Sequence, residues 1–337
     1  MPSSRTTLTE VATALGCLEL PSVDWAVLRR PPVTGVLPQH WDAIDAELGD
    51  RKSAKLAAAA FDNGRCFAEH PDGLAGRAAR LVEWTGGRRP PGDQVIPADL
   101  RIDRVFLVSC KYMSKIVLNT APSRLFDRAL QPSTAHDAGD WFAAVAPNEY
   151  RQLAAAAERH LGLAPSSDLL ALTVPRRNQL KLGLRESGRS LPKELKEPYA
   201  ALCRAASVES ARRWREAVPR RGREAEALLW RILRLSSGVY FVLGVASDGS
   251  RMRLRIDTPW DWRQAHELRS FDIEADEVGQ PQVRWRATVR DRVADIERVV
   301  DGHVEIRWSH GRFGAPPEAK VYLDTPHSEV PGYTPLR

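Results

Sequence analysis

Apolar positions along this chain repeat with a helical period through the middle and with an alternating period toward the end. Helical spacing predicts helices over Gln39–Leu48 and over Ser53–Glu69, the second with Leu56, Phe61 and Phe67 as core contacts. Gly73–Trp84 reads as a helix, or a helix running into a strand, followed by a turn-rich connection from Trp84 to Asp93. Further helices are predicted over Asp140–Leu161, Pro192–Ala217 and Gly222–Leu235, with a basic loop or helix start at Pro175–Lys181. Strands are predicted over Val239–Val245, Met252–Ile256, Val283–Val289, Val304–Trp308 and Ala319–Leu323. The resulting division is three consecutive regions: residues 1–130, a helical region 131–235, and a β-rich region 236–337 that ends in a proline- and glycine-rich surface tail or docking arm.

Val105–Tyr112 departs from both patterns. Val105 and Leu107 lie on one face and Phe106 and Val108 on the other, so this strand is expected to be central and covered on both sides. Ser109 and Lys111 then emerge together at its C-terminal end. A lysine leaving a buried strand needs an anionic neighbour or an anionic substrate. Asp99, on the preceding strand of what reads as a hairpin, is the obvious partner. An acidic group beside an ammonium is the arrangement a metal-dependent phosphodiesterase uses: the carboxylate holds a divalent cation and the lysine stabilises charge on the phosphate.

Composition narrows the classes. The 337 residues are 43% hydrophobic and 27% charged, within the range of globular proteins and long enough for two modest domains. No stretch approaches the roughly 20 apolar residues of a membrane span, and the N-terminus lacks an apolar leader, so a cytoplasmic location is expected. Cys17, Cys66, Cys110 and Cys203 are scattered and form no CxxC pair, which predicts neither a disulfide framework nor a zinc site. The net charge is +6, which permits nucleic-acid binding. Only eight of the 49 basic residues are lysines, and two of them, Lys111 and Lys115, follow the central strand. Neither a GxxxxGK[ST] phosphate loop nor a GxSxG nucleophile motif is present.

Pro97-Ala98-Asp99 followed by Ser109-Cys110-Lys111 resembles the restriction-endonuclease-like, or PD-(D/E)xK, nuclease superfamily, over roughly residues 60 to 125. The resemblance implies a mixed α/β sheet flanked by helices, a Mg²⁺ cofactor on Asp99, a water-positioning role for Lys111, and DNA as substrate. Ser109 departs from the pattern, because the family carries an acidic residue there. Members often supply a further glutamate from an upstream helix, a position that Glu83 or Glu69 could fill, with Glu83 preferred for its apolar setting. Asp103 reads better as a hairpin-turn aspartate beside Arg104.

Phosphate contacts are expected from Lys115, Asn119, Ser123 and Arg124 after the strand. Arginines alternate with apolar residues in Arg251–Arg255, at Arg284 and Arg286, and from Arg307 onward, which would give a sheet with one basic face. The alternative for these strands is pairing with nearby Asp257, Glu274, Asp276 and Glu277. His303 and Glu305 share a strand face but lack the spacing of a zinc hydrolase. The sequence thus leads to a Mg²⁺-dependent DNA endonuclease, suited to restriction or anti-phage defence, as a homodimer or with a partner defence protein. The alternative is a non-catalytic nucleic-acid-binding or scaffolding subunit that keeps the fold without the second carboxylate.

Overall fold

The computed structural model describes residues 3–86, 96–113, 115–128, 139–188, 190–276, 279–309 and 311–336. Most of the turn-rich connection read before Asp93 lies outside these residues. Among the described residues there are eleven α-helices and two sheets. The helices are α1 (Ser4–Gly16), α2 (Val23–Arg29), α3 (Pro38–Leu48), α4 (Arg51–Glu69), α5 (Pro122–Phe126) and α6 (Trp141–Val145). They continue with α7 (Pro147–His160), α8 (Val174–Glu186), α9 (Lys193–Ala217), α10 (Arg223–Ile232) and α11 (Pro259–Ala265). The strands are β1 (Val82–Trp84), β2 (Leu100–Ile102), β3 (Phe106–Tyr112), β4 (Ile116–Thr120), β5 (Tyr240–Val245) and β6 (Arg251–Ile256). They are followed by β7 (His266–Asp276), β8 (Gln282–Asp291), β9 (Ile296–Arg307), β10 (Glu318–Leu323) and β11 (Tyr333–Pro335). The chain is therefore mixed α/β. Contacts group it into two units, residues 1–115, 234–265 and 326–337 forming one and residues 116–233 and 266–325 the other. Each unit draws on more than one stretch of chain, unlike the three consecutive regions read from the sequence.

The first unit contains a six-stranded mixed sheet in the order β1-β2-β3-β5-β6-β11. β1, β2 and β3 form an antiparallel meander, and β5 pairs in parallel with β3, Ser109 facing Val242 and Lys111 facing Gly244. Parallel neighbours need a long crossover connection, and here residues 116–233 intervene. β3 is central, as its sequence implies, but Val105 is 71% exposed in the turn that precedes it. The proline- and glycine-rich C-terminus is not a free tail: β11 adds to β6, with Tyr333 opposite Ile256 and buried.

α1 is the helix that positions the site. Its threonines disfavour helix by propensity, yet Leu8, Val11, Ala12 and Leu15 recur at helical spacing and are all within 1% of complete burial. Ser3 caps its N-terminus by accepting from the Thr6 amide. The Thr13 hydroxyl donates to the Thr9 carbonyl at 2.8 Å, so the buried polar side chain is satisfied locally. α1 crosses α4 at two glycines: a Cβ on Gly64 would lie 2.0 Å from the Thr13 carbonyl, and one on Gly16 2.0 Å from the Phe61 carbonyl. Tyr112 locks β3 to this helix pair, its hydroxyl 2.6 Å from Thr13 Oγ1 and 3.4 Å from Asn63 Nδ2. Between α4 and β1, the segment read as helical forms turns, and only Val82–Trp84 becomes a regular element.

The second unit contains a five-stranded antiparallel sheet in the order β4-β10-β9-β8-β7. α9 packs against β7 and β8. Aromatic rings fill that interface: Trp214 lies edge-on to Phe126 at 5.2 Å, and Phe271 stacks on Trp285 at 6.0 Å. The basic Pro175–Lys181 segment belongs to α8, which Thr173 caps.

Candidate active site

The meander brings Asp99 and β3 together as the hairpin reading requires. Asp99 lies at the bend just before β2, and its amide donates to the Val108 carbonyl at 2.8 Å, which places it opposite Ser109. Its Oδ2 accepts the Cys110 amide at 2.6 Å and lies 3.4 Å from the Ser109 hydroxyl. The carboxylate therefore caps β3 beyond the end of β2, where Cys110 has no strand partner on that side. Ser109 is 1% exposed, so it does not emerge with Lys111. It is a buried hydroxyl that supports Asp99, and only Lys111 reaches a half-buried position.

The second carboxylate comes from α1. Glu10 is 8% exposed and accepts a hydrogen bond from Trp84 Nε1 at 2.6 Å. Burial and, next, the Asp99 charge push its carboxyl up from 4.5 to about 7, against the opposing pull of the Trp84 hydrogen bond and the Lys111 ammonium. Glu10 thus lies within electrostatic reach of both Asp99 and Lys111. Cys110 feels the same two carboxylates: burial first, then Asp99 and Glu10, hold its thiol well above its ordinary range.

Neither upstream glutamate expected from the sequence takes this place. Glu83 stands opposite Arg101 on β1, while Thr85 is the residue that bonds Asp99, its amide 3.0 Å from the Asp99 carbonyl. Successive strand residues alternate faces, and it is Trp84, not Glu83, that reaches α1. Glu83 keeps a buried Oε2 without a hydrogen-bond partner among the described residues. Glu69 ends α4 with its side chain 70% exposed and makes an i,i+4 contact with Arg65 at 3.9 Å. Asp103 is structural. It and Arg104 both have positive φ, 53° and 61°, in the three-residue connection 103–105 between β2 and β3. Its carboxylate accepts the Arg80 and Leu81 amides at 2.8 and 3.0 Å and pairs with Arg77.

The arginine-rich strands are paired rather than bare. Arg253 on β6 reaches back to α4, to Asn63 at 2.8 Å and Asp62 at 2.9 Å, and Arg251 also contacts Asp62 at 3.3 Å. Arg255 pairs with Asp257 at 2.8 Å. In the second unit Arg284 pairs with Asp276, Arg286 with Asp301 at 2.7 Å and Arg307 with Glu305 at 3.0 Å. The expected basic face therefore carries both signs. Asn119 donates to Glu318 at 3.3 Å, and Arg124 sits in α5, both in the second unit. Lys115 is exposed at the end of the first unit's first stretch of chain. His303 stacks on Tyr322 at 4.9 Å and bonds Asp324 at 2.9 Å, while His310 lies outside the described residues.

A cleft of about 790 Å³ in the first unit is lined by Lys52, Lys55, Arg65 and Arg251 around Val23, Phe61 and Met113. Met113 follows β3 directly, two residues past Lys111. Among the described residues no three His, Cys, Asp or Glu side chains are placed to hold a metal ion, and no helix is long and apolar enough to cross a membrane. A cation at the Glu10–Asp99 site would therefore be held by two carboxylates, with water, backbone oxygen and phosphate completing its shell, a donor set that suits Mg²⁺. Comparison with models of known protein families, with curated proteins and with solved structures finds no match to this chain.

Proposed function

We propose that the first unit is a Mg²⁺-dependent phosphodiesterase acting on DNA, with Glu10 and Asp99 as metal-holding carboxylates and Lys111 as the cationic partner. The observation that carries the reading is the shared field of these three groups on a β1-β2-β3 meander with α1 behind it. On this reading Glu10, from a different element, stands in for the acidic residue missing at Ser109.

Bound at these carboxylates, Mg²⁺ would polarise the scissile phosphate and lower the pKa of a bound water. The protein's own groups act as follows. The Trp84 indole orients the Glu10 carboxylate and opposes its protonation, and the Cys110 amide fixes the orientation of Asp99. The Lys111 ammonium stabilises negative charge building on the phosphate and keeps the attacking water in line. Lys52 and Lys55 line a cleft in the same unit together with Asp24 and Asp62, and the two lysines offer contacts to a phosphate backbone. A place in restriction or anti-phage defence, a cytoplasmic location and a homodimer that cuts both strands belong to the same proposal and rest on the resemblance.

The test is incubation of the purified protein with plasmid and with linear single-stranded DNA, in Mg²⁺ or in EDTA. Cleavage in Mg²⁺ alone is expected, lost in Glu10→Gln, Asp99→Asn and Lys111→Gln. Wild-type rates in any of the three would remove that residue from the site. The second reading, a non-catalytic DNA-binding subunit, draws on Ser109 and on the two-carboxylate donor set; it predicts DNA binding that all three substitutions leave intact and no cleavage by the wild type.

A further inference from the structure

In the second unit a cavity of about 310 Å³ is lined by Lys181, Leu184, Arg185, Gly188, Gly311 and Arg312. Lys181 and Arg185 are four residues apart on α8 and so share one helix face. Arg312 approaches from the turn after β9. Three cations meet here, and no carboxylate is among the described lining residues. The contrast with the preceding turn of the same helix is sharp. Arg176 and Arg177 pair with Glu158 at 3.4 Å and Asp140 at 3.0 Å, whereas Lys181, Arg185 and Arg312 form no ion pair among the described residues.

Charge arranged this way is unfavourable without a ligand. Lys181 and Arg312 are half-buried and Arg185 is exposed, so like charges line one cavity with only partial access to water. Gly311, at φ 93°, lets its backbone lie against the Lys181 stem, 3.2 Å from Cγ to where a Cβ would stand. The stem is thereby held beside the cavity that Lys181 lines. Two guanidinium forks and an ammonium match the oxygens of a phosphate group. A monoester carries nearly two negative charges at neutral pH, against one for a diester, and so better balances three cations. The cavity lies at the small end of ligand pockets, which run to about 300–1,000 Å³, and Leu184 supplies an apolar wall for the ester group.

We propose that Lys181, Arg185 and Arg312 form a binding site for a phosphate monoester, either the terminal phosphate of a nucleic-acid strand or a small phosphorylated metabolite. The proposal does not depend on the metal site of the first unit.

The experiment is anisotropy titration of the full-length protein, in EDTA so that no strand is cut, with 3′-fluorescein octathymidylate carrying a 5′-phosphate or a 5′-hydroxyl. Adenosine 5′-monophosphate and inorganic phosphate serve in parallel as thermal-shift ligands. A strand end as ligand gives roughly tenfold tighter binding of the 5′-phosphorylated oligonucleotide, a preference lost in the Lys181→Gln, Arg185→Gln, Arg312→Gln triple variant. A small monoester as ligand gives no such preference, but adenosine 5′-monophosphate then raises the melting temperature of the wild type and not of the variant. Neither preference nor shift in the wild type, or equal effects in wild type and variant, would overturn the site. Because the substitutions remove mutual repulsion, the ligand-free variant is expected to melt no lower than the wild type, which separates lost binding from lost folding.

Discussion

The Trp84 indole donates to the Glu10 carboxylate at 2.6 Å, and this one bond ties the first helix of the chain to the edge strand of the meander beside Asp99. It secures a carboxylate that burial and Asp99 together push toward protonation at about 7. In the unfolded chain the same group titrates near 4.5. Between those values the folded protein binds more protons than the unfolded one, so the Glu10 contribution makes stability fall as pH rises from about 4.5 to 7. A shift of this size corresponds to roughly 3 kcal/mol. Thermal melts across that range should show the slope in the wild type and a flatter profile in Glu10→Gln. Mg²⁺ bound at the site favours the charged form, so it should raise the melting temperature more at pH 7.5 than at pH 5.5. Equal shifts at both pH values would argue against Glu10 as a metal-holding group.

Ser109 and the Cys110 amide both face Asp99 Oδ2, at 3.4 and 2.6 Å. The longer contact is the weaker one. Ser109→Ala should therefore keep cleavage within several-fold of the wild type, whereas Asp99→Ala should abolish it. Complete loss in Ser109→Ala, with folding intact by circular dichroism, would give the hydroxyl a larger part than its geometry supports.

Asp103 closes the β2–β3 turn. Burial alone raises its carboxyl, but the Arg77 guanidinium and the Leu81 and Arg80 amides outweigh it and hold the group below the usual carboxylate range. A depressed folded-state pKa stabilises at neutral pH, and the contribution is lost as pH falls through the folded value. Asp103→Ala removes the acceptor and places alanine at φ 53°, so a loss of about 2–3 kcal/mol is expected. Asp103→Asn keeps an oxygen acceptor and tolerates the left-handed backbone, and should cost less. Urea unfolding of the two variants side by side distinguishes them, and DNA cleavage should persist in Asp103→Asn.

Gly64 lets α4 touch α1 backbone to backbone. A methyl group there would meet the Thr13 carbonyl at 2.0 Å, a contact no side-chain rearrangement relieves. Gly64→Ala should cost about 3 kcal/mol or more and shift α1, so cleavage should fall together with stability although Gly64 touches no proposed ligand. An unchanged denaturation midpoint would contradict this close approach.

The local pattern was enough for the hairpin. Apolar residues on both faces of Val105–Tyr112 marked a central strand, the spacing of Asp99 and Lys111 matched the register that forms, and Asp103-Arg104 carried a turn. Most of the regular helices and the alternating strands after residue 238 were equally legible, because their periodicity is a property of the chain itself. α1 lies outside the helices read from the sequence, although Ser3 before Leu8, Val11, Ala12 and Leu15 holds a cap and a helical stripe. With α1 went Glu10.

The sequence by itself determined that Asp99 would stand beside the C-terminal half of the central strand, since hairpin register follows from turn length and strand alternation. Only the tertiary structure decided that Glu10 is buried within reach of Asp99 and which arginines are already paired. Those partners lie 89 residues from Asp99 in the case of Glu10, and 191 residues away in the case of Asp62 and Arg253. No local period encodes such contacts; helix packing across the sheet brings them together.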